Sequence, residues 1–250
     1  MAIAAAEGIR LLERDDALDI LREAYADARS GAGRLVLVAG EAGIGKTAVV
    51  RAFCAEIADA RVLWGACDAL FTPRPLGPFL DLAAEANGEL GAAVGGSGGP
   101  YEVVAALVAA AAERPTVMVL EDVHWADEAT LDALRVLARK VERAPLLVVA
   151  SYRDDELERS HPLRLVLGEL ATRAEVARLR VGPLSRAGVA ELASEVAVDP
   201  RELHRRTNGN PFFVTEVLAT GTADIPQTVR DAVLARAGRH GGRSDCDRLE

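Results

Sequence analysis

Residues 34–53 read RLVLVAGEAGIGKTAVVRAF. The first six, RLVLVA, are a β-branched apolar run, long enough for a strand and too short for a helix. Gly40-Glu41-Ala42-Gly43-Ile44-Gly45-Lys46-Thr47 then fits GxxxxGK[ST] without a mismatch, and helical character resumes at Ala48. Strand, glycine-rich loop and helix in that order point backbone N–H groups at phosphate oxygens. The helix N-terminus adds roughly half a positive charge. Gly43 and Gly45 let the backbone approach an anion closely. Lys46 is expected to bridge the β- and γ-phosphates, with its ammonium exposed in the loop until they arrive. The Thr47 hydroxyl is expected to hold Mg²⁺. Residues 40–48 are therefore the candidate nucleotide cradle: Gly40, Glu41, Ala42, Gly43, Ile44, Gly45, Lys46, Thr47 and Ala48. Lys46 and Lys140 are the only lysines in a chain whose other basic residues are arginines. A position that keeps Lys against such a bias suits a compact ammonium.

Downstream, TVMVL at residues 116–120 is a second buried-strand pattern, and it ends in Glu121-Asp122. Carboxylates leaving the C-terminal end of a strand lie where open α/β sheets bind ligands. By position Glu121 organises Mg²⁺ through water, and Asp122 orients or deprotonates the attacking water. The solvated acidic turn is the alternative. LLVVA at 146–150 leads into Ser151-Tyr152-Arg153. Arg153 offers a planar fork to a γ-phosphate, or else pairs with Asp154, Asp155 or Glu156.

The remaining pattern fits one architecture. Helical spacing covers 11–29, a strand 61–66, a helix that follows the proline-rich loop at 71–78 and runs through 86, a helix that follows the flexible stretch at 95–100 and runs to about 113, helices 128–140 and 162–171, and a strand 176–181. Asp127 is placed to cap the helix at 128. Strands alternating with helices predict an α/β fold, a parallel five-stranded sheet flanked by helices. After Pro183 the strand signals stop, and 185–196, 200–206, 211–219 and 227–237 read as helices. The expected domains are a core at 1–182, a helical subdomain at 183–238 and an unpatterned, disordered tail at 239–250.

Composition narrows the function. The chain has 250 residues, half of them hydrophobic and 27% charged, with only 4% aromatics. That excludes a disordered or collagen-like chain and predicts an aliphatic core. Twenty-nine basic against 38 acidic residues give a net charge of −9, so no basic face dominates. Cys54, Cys67 and Cys246 are scattered, which argues against a disulfide framework or a zinc site. No apolar run reaches the roughly 18 residues of a membrane span, and Met1–Ala6 lacks a basic flank. The expected location is the cytoplasm, away from membranes.

These residues name a family. The chain resembles the AAA+-like ATPase module of STAND-type signalling NTPases, and most of all the module at the N-terminus of large ATP-binding LuxR-type transcriptional regulators. The stretches that carry the resemblance are LLERDDALDIL (11–21), VLVAGEAGIGKTAVVRAF (36–53), VMVLEDVHWADEATLDAL (117–134), LVVASYRDDEL (147–157), GNPFFVTEVL (209–218) and IPQTVRDAVLAR (225–236). The EDVHWAD string is more specific than the phosphate loop alone. The resemblance implies a P-loop sheet with a strand inserted between the loop strand and the acidic strand, then a helical lid. It implies ATP as the nucleotide, with Arg14 near the adenine and Pro211 of Gly209-Asn210-Pro211 packing on the base. Asn210-Pro211 also reads as a helix cap followed by Pro at the first helical position. Trp125 reads as packing or as base stacking, and His124 as packing or as a contact to the attacking water or γ-phosphate. At the first acidic position the family more often has Asp, and Glu121 is one methylene longer.

Family regulators also carry helical repeats and a C-terminal helix-turn-helix, neither of which this sequence contains. The expectation is a stand-alone ATPase or the front of a split or truncated regulator. An Mg²⁺-dependent ATPase switch with a protein partner or self-association is the leading reading. A nucleotide holder with negligible turnover is the alternative, supported by Glu121. An origin-type DNA-binding ATPase is a third. From Asp199 to Glu250 there are eight Arg and eight acidic residues, so direct DNA binding is not expected.

Overall fold

The computed structural model describes residues 11–70, 72–86 and 99–220. The chain divides into two compact units, Met1–Gly182 and Pro183–Glu250. In the first, β1 (Arg34–Ala39), β2 (Arg61–Ala66), β3 (Thr116–Glu121), β4 (Leu146–Tyr152) and β5 (Val176–Arg180) form one sheet in the order β2-β3-β4-β1-β5. Every neighbouring pair is parallel. The strand between the loop strand β1 and the acidic strand β3 is β4, the insertion that the resemblance implies.

Side chains alternate across a strand, and both faces of this sheet are covered. Leu35, Leu37, Met118, Leu120 and Val148 face one way, against α3 (Gly77–Ala86), α4 (Pro100–Glu113), α5 (Glu128–Lys140) and α6 (Pro162–Leu170). Val36, Val38, Val117, Val119 and Val149 face the other, against α1 (Asp15–Arg29) and α2 (Lys46–Ala55). Two-sided burial explains why the central strands read as continuous apolar runs rather than alternating ones. Only the edge strands β2 and β5 carry partly exposed positions along most of their length.

Some boundaries differ from the sequence reading. The first helix starts at Asp15, not at residue 11. Glu13 takes a left-handed φ of 56°, and the Arg14 side chain reaches backbone carbonyls elsewhere in the unit, so the segment before Asp15 is held off the helix axis. Helix α2 starts at Lys46 rather than Ala48, because Gly45 (φ 100°) supplies the left-handed turn that launches it. Strands β3 and β4 run on to Glu121 and Tyr152, so the first acid is the last residue of its strand. Asp127 caps α5 as expected, accepting from the N–H groups of Ala129 at 2.9 Å and Thr130 at 3.4 Å.

Gly33, just before β1, is a close approach. A Cβ there would lie 2.1 Å from the Val141 carbonyl oxygen and 2.6 Å from that of Ala144. Both obstacles are backbone, so neither can rotate away. Gly33→Ala should cost about 3 kcal/mol, at the upper end of overpacking penalties. That corresponds to a fall in Tm of roughly 6–12 °C in a chain of this size, measurable by calorimetry. An unchanged Tm means that the turn before β1 is looser than described.

The second unit is helical over its described residues, with α7 (Arg186–Leu192), α8 (Pro200–Thr207) and α9 (Pro211–Thr220). Helix α7 is shorter than the 185–196 reading. Ser185 and Asp199 cap α7 and α8 through their side-chain oxygens. Asn210 Oδ1 accepts from Phe212 N–H at 3.1 Å, with Pro211 opening α9, so the capping reading of Asn210-Pro211 holds. Gly209 has φ 70°, and a Cβ there would meet the Leu184 carbonyl oxygen at 2.2 Å. The helix read at 227–237 and the tail at 239–250 lie outside the described residues.

Among the described residues, no helix is long and apolar enough to cross a membrane. Cys54 is half-buried and Cys67 buried, and burial pushes both thiols up to about 12.

Candidate nucleotide and metal site

The loop of residues 40–45 leaves the C-terminal end of β1 and feeds α2. Gly43 (φ 73°) and Gly45 (φ 100°) sit in the left-handed region that a residue with a Cβ avoids. The expectation that Lys46 stands exposed is corrected. Its side chain folds back over the loop and donates to the carbonyl oxygens of Gly40 at 2.8 Å and Glu41 at 3.0 Å, leaving the residue 7% exposed. Two carbonyls give the ammonium partners inside the loop, and this explains its burial. Burial pulls its pKa below the ordinary lysine value, with Asp122 acting in the opposite direction.

Thr47, in the first turn of α2, donates its hydroxyl to Glu121 Oε1 at 2.5 Å. The other carboxylate oxygen, Oε2, accepts the Trp64 indole N–H at 2.8 Å. Asp122 follows in a left-handed conformation (φ 54°), which Asp tolerates better than most residues. Its N–H donates to Ser151 Oγ at 3.1 Å. Ser151 is thus buried near the end of β4 and steadies the backbone of Asp122. Burial raises the Asp122 pKa, while Arg153 and Lys46 oppose the rise. The Thr47 hydroxyl and the Glu121 carboxylate meet here, with the Asp122 carboxylate next along the chain. They are hard oxygen donors of the kind Mg²⁺ takes, so the residues present fit that ion.

Arg153 donates to Glu156 Oε1 at 2.6 Å, the neighbouring-acid pairing that the sequence left open. Its Nε also lies 4.0 Å from Asp122 Oδ1, and its guanidinium covers the Trp125 ring at 4.8 Å. His124 is buried between the same acids, with Nε2 3.4 Å from Glu156 and Nδ1 3.8 Å from Asp122. Neither nitrogen makes a hydrogen bond of acceptable geometry. Burial lowers its pKa to about 4, so the imidazole is neutral at pH 7. Trp125 packs on this ring at 4.5 Å and against the core. Arg14 is 7% exposed and donates to Ile44 O at 3.2 Å and Gly182 O at 3.0 Å. It ties the cradle loop to the segment after β5. Pro211 stands in the second unit, at the start of α9.

The structure brings Lys46, Thr47, Glu121, Asp122 and Arg153 to the C-terminal end of the central strands. Trp64 and Ser151 join them there. Sequence reading placed Trp64 only in a strand and Ser151 only at the end of one.

A parallel sheet with this strand order, a glycine loop opening a helix and an acid-terminated third strand define a P-loop NTPase fold. Residues 10–149 match the AAA ATPase domain family, and the chain belongs to it. The chain is 24% identical to an uncharacterized protein, R02095, of Rhizobium meliloti (strain 1021), over 88% of this chain and 26% of that protein. It therefore spans about a quarter of the length of that curated relative. Similar solved folds include the Walker-type ATPase PABY2304 of Pyrococcus abyssi (TM-score 0.58, 15% identity, 92% of this chain and 73% of that one). The ORC1 protein of Aeropyrum pernix, solved in complex with DNA, is similar at a TM-score of 0.59 and 15% identity over 92% of this chain and 66% of that one. Cdc6p of Pyrobaculum aerophilum gives 0.57 and 16% over 92% and 64%. At such identities the likeness is one of fold.

Proposed function

We propose that the chain binds Mg·ATP in the loop of residues 40–48 and hydrolyses it, serving as the regulatory ATPase module of a STAND-type switch. The observation that carries this reading is the 2.5 Å bond between Thr47 and Glu121. It joins the hydroxyl of the cradle helix to the acid of the third strand, the pair a phosphate-bound Mg²⁺ needs. Phosphoryl transfer to water depends on positioning and charge neutralisation more than on covalent chemistry. Lys46 holds the β- and γ-phosphates by leaving the Gly40 and Glu41 carbonyls for phosphate oxygens. Mg²⁺, when bound, neutralises charge on the transferring group. Glu121 and Thr47 fix its position, and Asp122 orients the attacking water and takes its proton. Arg153 lies against Asp122 and reaches the γ-phosphate by exchanging Glu156 for it.

The finer reading extends to the rest of the chain. Arg14 sets the loop beside the adenine, and Pro211 packs on the base, so that the segment from Pro183 onward serves as a nucleotide lid. ATP orders that lid and hydrolysis releases it, passing the state to a protein partner or a second copy in the cytoplasm. The resemblance to LuxR-type regulators supports a role in transcriptional control. A single-turnover assay with protein in excess over ATP tests the enzymatic reading. Product within minutes is expected. ATP intact after hours makes the chain a nucleotide holder.

A further inference from the structure

Glu121 carries one methylene more than the Asp commoner at its position, and the structure gives that length a use. We infer that Trp64 is a positioning residue that fixes the Glu121 carboxylate for Mg²⁺, through the bond from its indole N–H. The inference rests on the reading of Thr47 and Glu121 as the residues that organise the metal.

The sheet register makes the arrangement. Trp64 on β2 pairs with Val119 on β3, and Ala66 pairs with Glu121. Val117, Val119 and Glu121 alternate onto one face, and Trp64 packs on that same face among the residues under α2. Thr47 comes down from the first turn of α2 onto it. The Glu121 carboxylate thus meets a different donor at each oxygen, Thr47 at 2.5 Å on Oε1 and Trp64 at 2.8 Å on Oε2. Arg51, one turn further along α2, places its guanidinium over the Trp64 ring, 5.6 Å from its centre. β2 is an edge strand and Trp64 is half-buried, so the carboxylate stands close to solvent. Without the indole it is free to rotate away from Thr47. An indole N–H donates and cannot accept, so it engages Oε2 as an acceptor and fixes the plane of the carboxylate. An Asp, one methylene shorter, would draw the carboxylate back from both donors toward the end of β3.

The test is Trp64→Phe in the full chain, which keeps the ring and deletes the donor. ATP binding is titrated with excess EDTA and then at rising Mg²⁺. The affinity in EDTA should stay within about twofold of the parent, while the Mg²⁺ concentration giving half the metal-dependent gain should rise about tenfold, the loss of one hydrogen bond to a charged group. Equal Mg²⁺ titrations for variant and parent overturn the inference and leave the site reading standing. A parent whose ATP binding ignores Mg²⁺ overturns both. A second measurement covers a variant that does not fold. The Trp64 indole proton, identified by NMR in Trp125→Phe, should exchange with solvent at least about tenfold faster once Glu121→Ala removes its acceptor. An unchanged exchange rate overturns the inference.

Discussion

Lys46→Ala should weaken ATP binding at least about a hundredfold, read by titration calorimetry on the folded variant. The parent ammonium donates to two carbonyls of the loop at 2.8 and 3.0 Å, and in the proposed complex it exchanges them for phosphate oxygens. Charge-assisted hydrogen bonds contribute roughly 1.5–3 kcal/mol each, and a hundredfold change in Kd is about 2.8 kcal/mol. Loss of two such bonds exceeds that threshold. Because Lys46 is buried and bonded, its truncation should also lower stability by about 1–2 kcal/mol, which circular dichroism at the titration temperature controls for. A variant that binds ATP as tightly as the parent removes the nucleotide from this loop.

Asp122→Asn should keep ATP within a few-fold of parental affinity and slow hydrolysis by roughly 10²–10⁴, the usual contribution of a general base. The substitution is clean for two reasons. Asn tolerates the left-handed conformation that Asp122 adopts as readily as Asp does. It also keeps the backbone N–H that donates to Ser151. What disappears is the carboxylate, whose pKa burial moves upward against the pull of Arg153 and Lys46. Glu121→Gln should behave differently, weakening the Mg²⁺ dependence of ATP binding. If the two phenotypes are exchanged, so are the roles of the two acids.

The strands and the glycine loop between β1 and α2 were legible because each is a local pattern. An apolar run of six, a loop of GxxxxGK[ST] spacing and an Asp before a helix need only their own neighbours. Lys46 was misplaced because its partners are the loop's own carbonyls, and the backbone turn that points them inward does not show in the order of residues. Trp64 and Ser151 were illegible for a different reason. Trp64 meets Glu121 only because β2 pairs with β3, and Ser151 meets Asp122 only because β4 lies beside β3. Strand order is a non-local property that runs of apolar residues do not encode. Arg14 belongs to the same class, since two of its carbonyl partners lie 30 and 168 residues away.

Hydrogen exchange of the full chain, with and without Mg·ATP, tests the central claim most directly. A ligand at a hundredfold excess over Kd stabilises the folded state by about 2.7 kcal/mol, and amides that close on phosphate should exchange correspondingly slower. Peptides covering residues 40–48 should show the largest protection, with a second protected segment at 205–220 if the C-terminal helices act as a lid. Protection of the loop alone removes the lid and leaves the cradle. Exchange in residues 40–48 that is the same with and without Mg·ATP contradicts the account.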